Sequence, residues 1–566
     1  MKCSKGLSNG AEVIVGRNLF SQCIPRETLT ALLCKSIIAN WDRCATVGGS
    51  RRMSYGELGE RAVGLIGWFM ARGCVPGDRI AILGKNSVGL IVAEVAVQVG
   101  GYCRVPISPR LNISEIAYIC SDAEVKAICL DHEWIDALDE SGAFVGVPNV
   151  LVMDEWESGN EGGRAEALPS LGSLEVARRA DVEAALEKGF DVASDALAIL
   201  FYTSGTTGKP KGAMLSQRAI YNTVRKVRCA LPELHGAESV LHSAPLAHFS
   251  GTIMFSSIVG GGTQHVMPKF DPDELLRIVE EESIEVLPLV PTQINRITDA
   301  QEAQPRGHTD LRCIVYAGSP IAPDRLRRAI TAFGQVFVQM YGQSEVPPPV
   351  SVLSKRDHEL AYNALPTARE AERLGSAGRV LPFCDVLIVD DDGHKLPVGA
   401  IGEVLVRSDT VMAGYWKNES ATAEVYAEGN WLKTGDVGFV DRDSFLTIVD
   451  RKKSMIISGG FNVYPAEVES VVYQLPWIKE VAIVGAPSER WGEAVVAFVV
   501  VESRMLVEDG PDAIAKRVVA HCRGRIADYK IPKEVHVVES LPKNSNGKIL
   551  HKVIRDELWA GRRRKV

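Results

Sequence analysis

Leu200-Phe-Tyr-Thr-Ser-Gly-Thr-Thr-Gly-Lys-Pro-Lys-Gly212 joins an apolar run to a polar, glycine-rich loop, and the rest of the sequence is organised around it. The apolar run from Ala196 to Tyr202 reads as a buried strand, and it feeds straight into a loop of hydroxyls, glycines and lysines. That composition suits a phosphate cradle. Glycines let backbone N–H groups approach a polyanion, the hydroxyls of Thr203, Ser204, Thr206 and Thr207 donate hydrogen bonds, and Lys209 and Lys211 supply charge. The Walker loop, G-x-x-x-x-G-K-[ST], is excluded: Gly208-Lys209 would need a glycine where Thr203 stands and a hydroxyl where Pro210 stands.

Upstream of the loop, helix and strand alternate. Leu29, Leu32, Leu33, Ile37 and Ile38 keep helical spacing, as do Leu58, Ala62, Leu65 and Phe69. Arg79 to Leu83 reads as a short strand, Val88 to Val99 as a buried helix, Ile113 to Cys120 as a helix and Val125 to Leu130 as a strand. Such alternation implies parallel, doubly wound sheets. Between Trp156 and Lys188 the chain is rich in glycine and charge, and reads as a surface insertion and linker.

The loop, and the order of the motifs after it, resemble the adenylate-forming superfamily of acyl-CoA synthetases, luciferases and peptide-synthetase adenylation domains. The resemblance spans nearly the whole chain and includes Pro106-Ile-Ser-Pro-Arg-Leu111. It implies an α/β fold: a large N-terminal domain of doubly wound mixed sheets with a β-barrel-like part over 1–450, and a small mobile α+β domain over 451–566. It also implies ATP, Mg²⁺, coenzyme A and a small-molecule carboxylic acid as the chain's ligands. Within the loop, Thr203, Ser204, Gly205, Thr206, Thr207 and Lys211 become the implied nucleotide contacts, with Thr203 among the catalytic groups.

Further motifs follow in family order. Pro245-Leu-Ala-His-Phe-Ser-Gly251 resembles the P-x-x-H segment of acyl- and aryl-CoA ligases, which sets His248 and Phe249 beside the acid and His248 near the phosphates. Peptide-synthetase domains carry an Asp near this segment for the substrate's ammonium. No acidic residue lies between Pro245 and Lys269, so an amino acid would bring a buried, unpaired cation. Val315-Tyr-Ala-Gly-Ser-Pro-Ile321 resembles the segment whose backbone lies along adenine, through Gly318, Ser319 and Pro320. Phe337-Val-Gln-Met-Tyr-Gly-Gln-Ser-Glu345 matches Y-G-x-T-E, with Ser344 where threonine is commoner. The match implies nucleotide contacts at Gln339, Tyr341, Gly342 and Ser344, stacking of adenine on Tyr341, and Mg²⁺ on Glu345. Acetate-activating relatives carry Trp at the place of Gly342. Glycine there, with Phe249 and the stiff wall Val346-Pro-Pro-Pro-Val350, is expected to leave a tunnel for a medium- or long-chain fatty acid or an aromatic acid.

In Trp431-Leu-Lys-Thr-Gly-Asp436, Asp436 is expected on a short glycine turn, accepting both ribose hydroxyls. In Ile448-Val-Asp-Arg-Lys-Lys453, Ile448 is placed on adenine, Arg451 on ribose or phosphate and Lys453 at the interdomain hinge. Gly459-Gly-Phe461 resembles the lining of the pantetheine tunnel, although many relatives have Glu where Phe461 stands. Leu541-Pro-Lys-Asn-Ser-Asn-Gly-Lys548 matches P-x-x-x-x-G-K, and the resemblance makes Lys548 the catalytic cation between carboxylate and phosphate.

Composition bounds the rest. A chain of 566 residues is too long for one core, and its net charge of −8 argues against nucleic acid as a partner. The 12 cysteines form no C-x-x-C pair and no metal-ligand spacing, and Met1 to Asn9 lacks the apolar core of a signal segment, so a reducing, cytoplasmic setting is expected. The most apolar window, Val88 to Gly101, is interrupted by Glu94 and too short to span a bilayer; the Arg562-Arg563-Arg564-Lys565 tail leaves peripheral membrane contact open. A homodimer is also open. Acid–CoA ligation is the leading reading. Loading of a carrier-protein phosphopantetheine and luciferase-like oxygenation share the first half-reaction and stay as alternatives.

Overall fold

The computed structural model describes residues 27–140, 147–153, 168–188, 192–203, 209–365, 368–508, 510–543 and 549–560. The first sheet runs in the order Asn149–Val152, Ala127–Leu130, Arg79–Leu83, Cys103–Ile107, Leu197–Thr203, Lys211–Ser216. Its pairs are parallel up to Leu197–Thr203, which pairs antiparallel with Lys211–Ser216. The quoted stretch is therefore a strand running out to Thr203 and returning at Lys211, at the sheet's edge.

A second sheet has fourteen strands among the described residues. Its parallel half includes Ser239–His242, Thr263–Val266, Val286–Leu289, Cys313–Tyr316 and Phe337–Tyr341. It continues through antiparallel strands Ser351–Leu353, Gly378–Val380, Phe445–Arg451, Trp431–Val440, Gly402–Ser408 and Cys384–Val389, and this extension stands where the barrel-like part was expected.

The helix Val88–Val99 is buried at every position. It touches Cys44–Gly48 of the second sheet and both Arg79–Leu83 and Cys103–Ile107 of the first, which explains an apolar surface all round. The expected linker between Trp156 and Lys188 needs correction. Arg179–Lys188 is a helix packed on Tyr55–Ala71, and its Val182 and Leu186 are fully buried. Two apolar residues four apart suffice to dock a short polar helix, a signal too sparse to outweigh the surrounding charges.

The last strand of the second sheet ends at Arg451, and a third sheet begins at Ile456. Its long hairpin, Ile478–Ser488 and Gly492–Val501, is flanked by Ile456–Ser458, Phe461–Val463 and Glu534–Val537. Pro465–Val472, Gly510–Cys522 and His551–Leu558 pack on it. Lys453 lies between the two sheets. Contacts across this junction include Arg325 Nη2 donating to the Ile478 carbonyl at 2.7 Å and the Ala466 N–H donating to Asp450 Oδ2 at 2.9 Å. No helix among the described residues is long and apolar enough to cross a membrane.

Candidate active site

Parallel strands leave their carboxyl ends open for ligands. Cys313–Tyr316 ends in the turn at Gly318, whose φ of 91° favours glycine, and Phe337–Tyr341 ends at Tyr341. Gly318 and Pro320 are exposed there, with Ser319 partly covered.

Asp436 is the hub. It sits inside the strand Trp431–Val440 rather than on a free turn, directly opposite Arg451 on the neighbouring strand. Gly435, at φ 69°, precedes it and lies within a break in the ladder to Gly402–Ser408; a bulge of this kind re-aims a side chain. The carboxylate is buried. Oδ2 accepts from the Tyr341 hydroxyl at 2.5 Å and Gln343 Nε2 at 2.6 Å, while Oδ1 pairs with Arg451 Nε at 2.6 Å. Burial, then the Asp436 charge, pushes the Tyr341 phenol well above its usual range. A carboxylate offers about four acceptor positions, so this cluster already fills most of them. Gln343 was not singled out from sequence, although it stands inside the quoted Tyr341–Glu345 motif.

Glu345 forms a second cluster. Its Oε1 accepts from the Tyr415 hydroxyl at 2.9 Å, and its carbonyl accepts from the Met412 N–H at 2.8 Å. The Lys211 ammonium lies 5.3 Å from the Tyr415 ring centre. Met214 N–H donates to the Gly414 carbonyl and Trp416 N–H to that of Gly212. The 412–416 segment thus stitches the edge of the first sheet to Glu345, in the loop that leaves the second sheet after Tyr341. Tyr415 is a residue that no motif announced. Thr203 is half-buried, with Oγ1 3.5 Å from the Lys211 carbonyl. Ser204, Gly205, Thr206 and Thr207 lie outside the described residues.

His248 caps the helix Phe249–Ile258. Its ring centre lies 5.6 Å from that of Phe201, two residues before Thr203. Burial, then Arg104 and Arg110, lowers its pKa to about 4, so the imidazole is neutral at ordinary pH. Its Nε2 is buried and has no partner among the described residues. A deep clamp fixes the preceding loop. Asn86 Nδ2 donates to the His242 and Ala244 carbonyls, and its Oδ1 accepts from the Leu246 N–H at 3.0 Å. Arg104 Nη2 donates to the Leu246 carbonyl at 3.0 Å and to Glu94 Oε1 at 2.6 Å.

The expected tunnel at Gly342 and Val346 is corrected by the backbone. A Cβ at 342 would lie 2.5 Å from Pro348 N, 2.6 Å from Pro348 Cα and 2.8 Å from the Val346 carbonyl oxygen. The glycine serves a close backbone approach rather than an opening, and Val346 is fully buried in the main core. Phe249 and Pro348 are half-buried and retain surface for a ligand.

Gln339, Ser344 and Ile448 are all half-buried, and Ile448 packs against the main core. On the small unit, Gly459 and Gly460 have φ of 60° and 84°, and Phe461, largely exposed, stacks on Tyr529 at 4.7 Å. The Lys453 carbonyl accepts from Arg555 Nη1 at 3.2 Å. Lys548 lies outside the described residues.

Comparison with known proteins fits this geometry. The family description "AMP-binding enzyme" matches residues 38–416, and "AMP-binding enzyme C-terminal domain" matches 467–548. A medium/long-chain-fatty-acid–CoA ligase of Mycobacterium tuberculosis is 33% identical over 532 residues, covering 92% of this chain and 88% of that protein. A feruloyl-CoA synthase of an Amycolatopsis species is 35% identical over 510 residues, covering 90% and 94%. Among solved structures, an amide bond synthetase from Marinactinospora thermotolerans superposes with a TM-score of 0.78 at 28% identity, covering 93% and 99%. With matches over most of its length and the motif residues converging as described, the chain belongs to the AMP-binding enzyme family.

Proposed function

We propose that this protein is an ATP-dependent acid–CoA ligase acting on a medium- or long-chain fatty acid or an aromatic acid. It makes an acyl adenylate and passes the acyl group to coenzyme A, releasing pyrophosphate and then AMP. The observation that carries this reading is the convergence at Asp436 of Tyr341, Gln343 and Arg451, one motif beyond Glu345 and its link to Lys211. The named relatives ligate fatty and aryl acids to CoA, which favours free CoA over a carrier-bound pantetheine.

In this reading the acid's carboxylate attacks the α-phosphorus of ATP. Asp436 takes the ribose hydroxyls, and because three donors already occupy it, ribose capture displaces at least one of them. Arg451, directly across the ladder, stays beside the sugar and its phosphate. Tyr341 gives adenine a stacking face, with Gly318, Ser319 and Pro320 along its edge and Ile448 beneath. The neutral His248, with its buried Nε2 available, borders the acid and the phosphates without adding charge. Glu345 suits Mg²⁺: it is a hard oxygen donor, Tyr415 fixes one of its oxygens, and Mg²⁺ takes one or two carboxylates plus phosphates and waters. When bound, the ion would neutralise charge on the leaving pyrophosphate. Thr203 and the loop after it cradle the phosphates, and Lys548 bridges carboxylate and phosphate as a point charge.

In this reading the thiol must enter the site where Lys548 is assigned to act during adenylation. A mobile domain of 451–566 therefore swings about Lys453 away from an adenylation domain of 1–450, bringing Gly459, Gly460 and Phe461 to the pantetheine path. A cytoplasmic location completes the proposal, tested by fractionation; sedimentation separates a monomer from a homodimer.

The direct test measures pyrophosphate release, with and without CoA, across acetate, octanoate, palmitate, benzoate and ferulate. Release and thioester formation on the longer or aromatic acids, with little on acetate, is expected. Preference for acetate, or adenylation without CoA thioester, would overturn the proposal.

A further inference from the structure

Tyr316 closes the parallel strand Cys313–Tyr316 and lies directly opposite Gln339 on Phe337–Tyr341. Paired residues leave the same face of a sheet, and Tyr341, two positions on, shares it. Tyr316 is fully buried, yet its hydroxyl has two neighbours. His358 Nε2 lies 3.0 Å away and the Gln339 carboxamide oxygen, Oε1, as the side chain is placed, 3.3 Å away. His358, also fully buried on the helix Lys355–Asn363, has Nδ1 2.8 Å from the Ser354 carbonyl.

The proton positions follow from chemistry. A carbonyl oxygen only accepts, so His358 Nδ1 carries a hydrogen. Burial lowers the His358 pKa to about 4, so the ring is neutral and Nε2 is a bare acceptor. The single Tyr316 proton goes there. The phenol oxygen can then only accept from Gln339, and a half-turn of the carboxamide about its last bond supplies Nε2 as the donor. That orientation leaves Gln339 Oε1 as the end free to meet a ligand, on the strand face shared with Tyr341.

We propose that Ser354, His358 and Tyr316 form a one-way hydrogen-bond relay that fixes the Gln339 carboxamide with its oxygen toward the nucleotide base. It selects a purine bearing an exocyclic amino donor over one bearing a carbonyl at that position. The inference rests on the ligase reading, which lays adenine between the Gly318 turn and Tyr341. Tyr316 and His358 are positioning residues, acting through Gln339.

The test compares kcat/KM for ATP with that for inosine triphosphate, whose 6-carbonyl replaces the amino group. Wild type is expected to favour ATP strongly. Tyr316→Phe frees the carboxamide to turn and should reduce the preference by about tenfold. His358→Leu leaves Gln339 as the sole acceptor for the Tyr316 proton, turning Nε2 outward, so the preference should fall further. The order wild type, Tyr316→Phe, His358→Leu is one that loss of packing alone would not produce. Melting temperature and the KM for the acid serve as controls, and the near-isosteric Tyr316→Phe carries the test if His358→Leu does not fold. An unchanged ATP preference in a folded Tyr316→Phe overturns the relay while leaving the ligase reading intact. Failure of wild type to release pyrophosphate from ATP overturns that reading itself.

Discussion

Asp436→Asn removes one charge from the centre of the site while keeping its shape. The structure separates its two consequences. The Arg451 side chain facing Asp436 is 47% exposed, so water re-solvates the guanidinium when its partner is neutralised. The lost ion pair, half-exposed at Arg451 and buried at Asp436, therefore costs about 1–3 kcal/mol of stability. The asparagine oxygen can still accept from Tyr341, which keeps that buried hydroxyl satisfied. Nucleotide binding fares worse. Hydrogen bonds to a charged group contribute about 1.5–3 kcal/mol each, and the carboxylate is assigned two from the ribose. Asparagine retains part of one, so a net loss of about 3–4 kcal/mol is expected, or about 10²- to 10³-fold in kcat/KM for ATP. The assay is pyrophosphate release at subsaturating ATP and saturating acid, with calorimetric melting alongside. A large fall in kcat/KM for ATP with a small change in melting temperature and an unaltered KM for acid is the expected result. A kcat/KM for ATP near wild type would refute the ribose assignment. A deep loss of melting temperature would show that Asp436 holds the fold rather than the nucleotide.

Lys548→Ala should slow adenylation about 10²- to 10³-fold while transfer from preformed acyl adenylate to CoA continues; rapid adenylation by the variant would remove Lys548 from the mechanism. Lys453→Pro, which fixes φ near −65°, should leave adenylation largely intact and stall thioester formation, whereas equal loss in both half-reactions, read by single-turnover kinetics, would point to misfolding. Glu94→Gln breaks a pair buried on both sides and should destabilise the protein by about 3–5 kcal/mol, with Glu94→Gln/Arg104→Met recovering most of it in denaturant titrations; a near-neutral single variant would contradict the clamp under the His248 loop. Stability should also fall on acidification. Burial lowers His242, His248, His265 and His358 to about 4, so below about pH 6.5 the unfolded chain takes up protons that the folded chain refuses. Each contributes about 1.4 kcal/mol of loss at one pH unit below 6.5. Burial raises Asp450 to about 6, which acts in the opposite sense, its stabilisation present at low pH and lost as pH rises through about 6. Four histidines outweigh Asp450 together with His551 and Glu94, which are also raised, and a melting temperature that does not drop between pH 7 and pH 5 would refute this.

The alternating layered architecture and the order of the motifs can be read from the primary structure. Alternating apolar runs near Arg79, Val88, Cys103 and Ile113 specify strands and helices because side-chain period follows backbone geometry, whatever packs above. The Gly318 turn and the Tyr341–Glu345 run were legible because each needs particular residue types at fixed local spacing. The helix at Arg179–Lys188 was missed because two buried side chains leave little trace in a charged segment.

Which of these residues meet depends on how the sheets and loops are assembled. Glu94 looked like a flaw in an apolar helix, and becomes one half of a buried pair because Cys103–Ile107 runs beneath it and presents Arg104. Asp436 looked like a turn residue, and becomes a crowded hub because the ladder sets it opposite Arg451 and within reach of Tyr341 and Gln343. Gly342 looked like an opening, and proves to be the place where the Val346–Pro348 backbone comes too close for a side chain. Tyr415 carries no motif, yet joins Lys211 to Glu345 across two sheets. The physical reason is common to all four. Backbone propensity and turn chemistry act within a few residues and are written locally, whereas a hydrogen bond or a clash between distant segments depends on sheet order and register, which no local spacing encodes.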